Sequence, residues 1–174
     1  ITVDGVAVDA KDLKNGYAVV SRKWKKGDEI RIHFDMKPRL VQANQKVKED
    51  LGQMSVERGP LVYCAEWPDN EADVLNYLMN PKAAFNAQPD YTLTLEDGTK
   101  YSVTAITTQA QALSYADDGK LQAVDKKLTL IPYYAWAHRG SNGAMTVWLP
   151  TDVSAAHAAK VVYDKNASNG FFGR

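Results

Sequence analysis

One cysteine and three histidines are all the thiol and imidazole that 174 residues supply. The lone Cys64 excludes a disulfide within the chain, and no Cys-x-x-Cys or His-x-x-x-His pair sets two ligands on one metal. His33, His138 and His157 stand far apart, so no zinc site is expected from this chain alone. Neither sign of charge is in excess: 21 basic residues meet 21 acidic ones, which removes the long-range field by which a nucleic-acid binder finds phosphate backbones. Long apolar runs are missing too. None approaches the roughly 18 residues that span a bilayer, and Ile1-Thr2-Val3-Asp4-Gly5 has neither the basic nor the apolar region of a signal peptide. No nucleic acid and no membrane is therefore expected as a partner. The motifs Gly-x-Gly-x-x-Gly, Gly-x-x-x-x-Gly-Lys-Ser/Thr and Gly-x-Ser-x-Gly do not occur, so nucleotide binding and serine hydrolysis have no support.

What is present is a β pattern. With 45% hydrophobic residues the chain can bury a core, and short alternating segments are separated by dipeptides that favour positive φ. Asp4-Gly5 lies between Ile1-Thr2-Val3 and Val6-Ala7-Val8, Asn15-Gly16 leads into a strand from Tyr17 to Trp24, and Lys26-Gly27-Asp28 turns the chain again. Ile30, Ile32 and Phe34 alternate with Arg31, His33 and Asp35, the pattern of a half-buried strand with one wet face. A strand is expected over Arg39 to Ala43, a loop or short helical turn over 44–53, and a strand from Met54 to Trp67 interrupted at Gly59-Pro60. Because proline donates nothing to a ladder, that pair predicts a bulge, a bend or a crossing between sheets. Leu61 to Ala65 is apolar on both faces, as suits a strand in the middle of a sandwich.

Residues 68–90 contain three of the seven prolines and form the best candidate boundary, with Asp73 to Met79 as their ordered piece. Tyr91 to Leu95, the turn Glu96-Asp97-Gly98-Thr99 and Lys100 to Ile106 make the clearest hairpin. Leu128 to Tyr134 and Ala144 to Leu149 are the last strands, joined through His138-Arg139-Gly140-Ser141-Asn142-Gly143. Residues 151–174 lack a period and read as a tail or linker. The expected fold class is all-β, an antiparallel β-sandwich or jelly roll, or two small sandwiches in tandem. In the tandem version residues 1–67 end a first sandwich and 68–150 form a second.

Chemistry is sparse. Nucleophilic cysteine needs a nearby cation, metal or helix N-terminus, none of which Val62-Tyr63-Cys64-Ala65 implies, so Cys64 reads as a small buried residue. Glu57, Glu66, Asp69, Glu71 and Asp73 are the densest acids. A retaining glycosidase holds its carboxyls about 5–5.5 Å apart in a cleft, whereas five acids around a bend read as a solvated rim. Glu57 and Arg58 point to opposite faces, and an Arg fork on carbonyls near Gly59 would hold the bend. Sugar rings stack on exposed aromatics, which brings in Trp24, Trp67, Trp136 and Trp148. Strand alternation through Tyr133-Tyr134-Ala135-Trp136-Ala137 puts Tyr134 and Trp136 on one side, and Trp148 reads as core. The candidate binding residues are Trp67, Tyr134, Trp136, His138 and Arg139, each with packing or loop hydrogen bonding as the simpler account. His33 reads as a solvated surface histidine. No catalytic residue and no metal ligand is assigned.

Two stretches are more informative together than apart: Glu57-Arg58-Gly59-Pro60-Leu61-Val62-Tyr63-Cys64-Ala65-Glu66 and Ile131-Pro132-Tyr133-Tyr134-Ala135-Trp136-Ala137-His138-Arg139-Gly140. With Gly16-Tyr17, Trp24-Lys25-Lys26-Gly27-Asp28, Arg39-Leu40-Val41 and Ala43-Asn44, they resemble the C-terminal part of bacterial glycoside hydrolases of the β-L-arabinofuranosidase type, glycoside hydrolase family 127. The resemblance covers most of residues 1–150. It implies an upstream (α/α) barrel that contains the active site, followed by β-sandwich domains that pack on it. In that family a cysteine nucleophile lies beside a zinc bound by further cysteines and a glutamate, upstream of both stretches, and one cysteine cannot build that site. The resemblance therefore implies a non-catalytic region of a hydrolase of plant-type glycans, without a cofactor of its own and with zinc in the absent catalytic domain. Its partner would be the upstream catalytic domain of the same polypeptide, and its location periplasmic or extracellular. A start on strand-like Ile1 without Met suits a piece of a longer polypeptide. The alternative is a carbohydrate-binding module that uses exposed aromatics such as Trp67 or Trp136, with carbohydrate as a second partner.

Overall fold

Positive-φ turns fix the first strands. The structure, a computed structural model, describes residues 1–8, 13–140 and 143–156. Fourteen strands and short 3-10 turns run through it, with no α-helix among the described residues. Every strand pairing is antiparallel, and the chain divides into two compact units, Ile1–Asp35 and Met36–Arg174.

The first unit contains β1 (Thr2–Val3), β2 (Val6–Ala7), β3 (Leu13–Lys14), β4 (Tyr17–Ala18) and β5 (Ile30–Arg31). β1 lies between β2 and β5, while β3 pairs with β4 alone. Asp4 and Gly5 have φ of 49° and 77°, and Asn15 and Gly16 have 54° and 82°. Positive φ at both central residues is the I′ geometry whose twist matches two flanking strands, so these two dipeptides do what their composition predicts. The strands expected over Tyr17 to Trp24 and Glu29 to Asp35 shorten to two residues each. Ile30, Ile32 and Phe34 are 52%, 58% and 54% exposed, and Val3 is the one buried side chain among the described residues of this unit. Alternation marks which face could be buried. Burial itself needs a second layer, and the described residues of this unit supply none.

The second unit contains β6 (Pro38–Gln42), β7 (Gln53–Arg58), β8 (Leu61–Glu66), β9 (Tyr77–Met79), β10 (Asn86–Thr94), β11 (Lys100–Tyr115), β12 (Leu121–Pro132), β13 (Met145–Thr146) and β14 (Leu149–Pro150). They form one nine-stranded sheet in the order β10-β11-β12-β8-β7-β14, with β9 on β11, β13 on β8 and β6 on β7. The sheet curls until β9 and β14 meet. The boundary expected near residue 68 falls inside this sheet, because β8 pairs with β12 through Ala65↔Leu130, Cys64↔Ile131 and Tyr63↔Pro132. The division into compact units instead falls between Asp35 and Met36 in the chain.

β8 explains the unbroken apolar run. On one face Tyr63 and Ala65 join Val56, Tyr77, Met79, Leu128, Leu130 and Leu149 in a buried cluster. On the other, Cys64 packs with Leu93, Val103, Ile131 and Ala135. From Tyr63 to Ala65 both faces are dry, so no polar alternation survives there, while Val62 stays exposed. Gly59-Pro60 is neither bulge nor crossing: Arg58 pairs with Leu61 across it, and Gly59 at φ 58° takes the first central position of a two-residue hairpin turn. An Arg fork does brace the turn, from Arg39 rather than Arg58. Arg39 Nη1 donates to the Gly59 carbonyl at 3.0 Å while its Nη2 pairs with Glu57.

Two other regions depart from the sequence reading. β11 and β12 run far beyond Ile106 and begin well before Leu128, joined at a turn where Gly119 has φ 79° and the Asp118 carboxylate accepts from the Lys120 N–H. Gln109-Ala110-Gln111-Ala112 alternates, yet glutamine and alanine are weak strand formers, which hides the segment. The last strand splits into β13 and β14, which pair with β8 and β7 in turn. Trp148 falls in the break and is half-buried rather than core.

Candidate functional site

Glu66 ends β8 on the face that Cys64 occupies, and the chain then winds into a 3-10 turn, Trp67–Asp69, with Pro68 in its first turn. Three residues per turn bring Glu66 and Asp69 to one side. Arg139 lies between them: Nη1 donates to Asp69 Oδ1 at 2.8 Å, Nε donates to Glu66 Oε2 at 3.1 Å, and Nη2 bonds both carboxylates. The three side chains are 7%, 3% and 3% exposed for Arg139, Glu66 and Asp69. Further donors complete the acids. The Ala137 N–H bonds Glu66 Oε1 at 3.0 Å, and the Tyr91 hydroxyl bonds Asp69 Oδ1 at 2.7 Å. Asn70 ties the turn to β12 by donating to the Glu66 and Thr129 carbonyls at 2.8 and 3.1 Å and accepting from the Thr129 N–H at 2.9 Å.

The electrostatics follow from that geometry. Burial pulls the Arg139 pKa down, but hydrogen bonds and charge from Asp69 and Glu66 outweigh it and the net shift is upward, so the guanidinium stays charged. Burial first, then the Asp69 hydrogen bond and charge, pushes the Tyr91 phenol up to about 12. Burial and the Glu66 charge push the Cys64 thiol to about 12, against a smaller opposing effect of Arg139. A nucleophilic thiol needs the reverse shift. Ala137 sits at φ 70°, a conformation that costs a non-glycine residue on the order of 1–3 kcal/mol, and its bond to Glu66 helps hold it there.

The other candidates spread along a rim. Tyr133–Ala135 is a 3-10 turn entered from Pro132 rather than a strand, so residues three apart meet, and Tyr133 pairs with Trp136 at 6.1 Å between ring centroids. The pairing of Tyr134 with Trp136 expected from strand alternation is thereby corrected. Tyr134 is exposed, and Trp136 packs on the Cys64 cluster. Trp67 and His138 are exposed, and the His138 carbonyl accepts from the Glu96 N–H at 3.0 Å. Of the five clustered acids, Glu57 pairs with Arg39, Glu71 with Lys126, and Asp73 accepts from the Leu75 N–H. Glu66 and Asp69 are buried in ion pairs instead of lining a solvated rim. The sequence signal for them was a single acid closing an apolar strand just before a Trp-Pro-Asp turn. His157 lies outside the described residues.

Among the described residues no three His, Cys, Asp or Glu side chains converge as a metal requires, and the one thiol is driven toward its protonated form. The zinc site implied by the resemblance does not fit the residues of this chain.

This fold recurs in solved glycoside hydrolases. A GH127 beta-arabinofuranosidase superposes with a TM-score of 0.75 at 52% identity, covering 89% of this chain and 23% of that one. A GH127 beta-L-arabinofuranosidase from Geobacillus stearothermophilus T6 gives 0.69 at 30% identity, covering 86% of this chain and 24% of its own. The fold thus places the chain among glycoside hydrolases as an all-β region of such enzymes. Residues 38–150 match the model of the glycoside hydrolase family 127 C-terminal domain, and residues 1–36 that of the beta-L-arabinofuranosidase GH127 middle domain. The chain belongs to glycoside hydrolase family 127. The non-reducing end beta-L-arabinofuranosidase of Bifidobacterium longum subsp. longum is 37% identical over 117 residues, 64% of this chain and 18% of that enzyme's length. The chain therefore spans about a quarter or less of these relatives.

Proposed function

We propose that this chain is the non-catalytic β-sandwich region of a β-L-arabinofuranosidase-like glycoside hydrolase, and that it supports an (α/α) barrel of the same polypeptide which cleaves glycosidic bonds in plant-type glycans. The observation that carries the reading is the state of the reactive groups. Glycoside hydrolysis needs one carboxyl that can give a proton and another that faces the sugar, but Glu66 and Asp69 share one buried guanidinium. The thiol of Cys64 is fully buried and its pKa is pushed up to about 12. Support for a packing role comes from the first unit, where Val6, Tyr17, Trp24, Ile30, Ile32 and Phe34 are exposed. Such a surface suits a neighbouring domain that would cover it. The zinc of the family would belong to the barrel.

The purified chain, incubated with 4-nitrophenyl β-L-arabinofuranoside, is expected to give no turnover above the uncatalysed rate. Turnover that vanishes in Cys64→Ser or Glu66→Gln would overturn the reading. The supporting role predicts that the barrel, produced separately, melts at a higher temperature once this chain is added. An unchanged melting temperature counts against support.

A further inference from the structure

The turn that carries exposed Trp67 is held by backbone and neighbouring side-chain bonds. Its turn is flanked by Glu66 and Asp69, and Arg139 binds both. The Trp67 N–H donates to the Ala144 carbonyl at 3.1 Å, and the Asn70 N–H closes the turn onto the Trp67 carbonyl at 3.3 Å. Behind the indole lies Gly143. A Cβ built there would fall 1.8 Å from the ring Cγ, so only bare backbone fits against that side of the ring. Even so, Trp67 is 39% exposed. The ion cluster holds the turn that carries Trp67, and Gly143 backs a ring that remains partly in water.

We propose that Trp67 is a stacking platform for a saccharide ring and that Arg139 is its positioning residue. The C–H face of a sugar packs on an indole as other apolar surfaces do. An aromatic on a braced turn with its ring backed by Gly143 surrenders less freedom when the sugar arrives, which is what preorganisation contributes to affinity. Size favours a sugar over a protein partner. Trp67 and exposed Pro68 beside it offer an apolar face that one sugar ring can cover, whereas a specific protein interface buries roughly 1,000 Å². Arg139 takes no part in contact with the sugar, since its guanidinium is committed to the two carboxylates. This site is separate from the supporting role proposed above. It adds a ligand and leaves the absence of turnover untouched.

Affinity electrophoresis of the full chain tests it, in native gels cast with soluble arabinan, arabinogalactan or xyloglucan, against a gel without glycan. The chain is expected to be retarded by at least one of the three. Trp67→Ala is expected to bind about tenfold more weakly or worse, as for loss of a central aromatic anchor, while Trp67→Phe retains part of the retardation. Arg139→Lys keeps the charge but loses the fork and is expected to weaken binding. Leu130→Val, chosen to match its loss of thermal stability, should bind like the parent. Far-UV circular dichroism confirms the fold of each variant. No retardation of the parent by any of the three glycans overturns the proposal, and so does unchanged retardation of Trp67→Ala. If Arg139→Lys and Leu130→Val weaken binding equally, Arg139 is not a positioning residue. Should Trp67→Ala instead lose association with a separately produced barrel while glycan retardation persists, the indole is a domain contact and the saccharide assignment fails. None of these outcomes depends on the hydrolysis assay.

Discussion

Each unit of the chain contains an arginine between two carboxylates, and the two arrangements differ in almost every physical respect. In the first unit Arg22 bonds Asp4 at 2.9 Å and approaches Asp28 at 3.4 Å, with its guanidinium 5.2 Å from the Trp24 ring. Water reaches all of it. In the second, Arg139 bonds Glu66 and Asp69 where all three side chains are almost fully buried, with Ala137 donating to Glu66 Oε1 and Tyr91 adding a second donor to Asp69 Oδ1. A solvated pair gains little, since water and mobile side chains offset the attraction. A dry cluster makes each member indispensable to the others, because removing one leaves charge with no water to replace it. The same residue types thus decorate one unit and organise the other, and the difference comes from the layers around them.

The sharpest test of that contrast is a pair of substitutions. Arg139→Met leaves two buried carboxylates without their counter-ion and should destabilise the second unit by about 3–5 kcal/mol, read as a lowered midpoint in urea unfolding. Arg22→Met should move the same midpoint by no more than its error. Comparable shifts for both would mean that burial does not separate the two clusters.

Next in size is a comparison of aliphatic side chains. Leu130 lies in the cluster with Tyr63, Ala65 and Leu128, so Leu130→Ala should cost about 2–5 kcal/mol. Ile32 alternates just as regularly in sequence but is exposed, and Ile32→Ala should change stability by less than about 0.5 kcal/mol. Association with the barrel should reverse the second result if the first unit is covered there. An unchanged cost for Ile32→Ala in that complex would leave the apolar face without a role.

These contrasts also separate what could be read from sequence from what could not. Asp4-Gly5 and Asn15-Gly16 were legible because the positive φ they favour is local, and the apolar run Leu61 to Ala65 was legible because its part from Tyr63 to Ala65 is buried on both sides and leaves no polar alternation. The ion cluster was not legible as a unit. Its acids lie in one turn, but the guanidinium that neutralises them comes from Arg139, 70 residues beyond Asp69, and no local signal specifies such a closure. The turn at Tyr133–Ala135 offered a clue in Pro132, which ends the strand for lack of an N–H and changes the period from two to three. Ile32 fails for the opposite reason, since its pattern is correct and the layer it needs is supplied by no described residue of its unit.

A smaller effect concerns alkaline pH. Burial is the leading cause of the raised thiol and phenol values of Cys64, Tyr63, Tyr77, Tyr91 and Tyr101, all in the second unit, and it takes Cys64 and Tyr91 to about 12. A group raised on folding holds its proton more tightly when folded. Its contribution is complete below the ordinary value, 9.0 for the thiol and 10.0 for the phenols, and is lost as pH rises toward 12. Urea midpoints should therefore stay level with respect to these groups up to pH 9 and fall above it. Tyr91→Phe should shallow the fall between pH 10 and 12, and an identical slope would exclude Tyr91 as a contributor.

The smallest expected effect lies in the first unit, on the acid side. The Glu29 N–H, which donates to Asp4 Oδ1 at 2.8 Å, is the main influence holding the Asp4 carboxyl below 3.8, followed by an opposing desolvation and then by the hydrogen bond and charge of Arg22. A depressed carboxyl contributes above its unfolded value and loses that contribution as pH falls through the folded one, so the bond between Asp4 and Glu29 should persist above pH 3.8 and weaken below it. The reporter is the Glu29 amide itself. Its hydrogen-exchange protection, corrected for the intrinsic pH dependence of exchange, should decline below pH 3.8 in the parent and show no such decline in Asp4→Asn. The backbone bond from the Asp4 N–H to the Glu29 carbonyl, 2.9 Å, does not titrate, so its own protection is the internal control. If both amides lose protection together, the whole strand pair is opening and the carboxylate does not act as a local anchor.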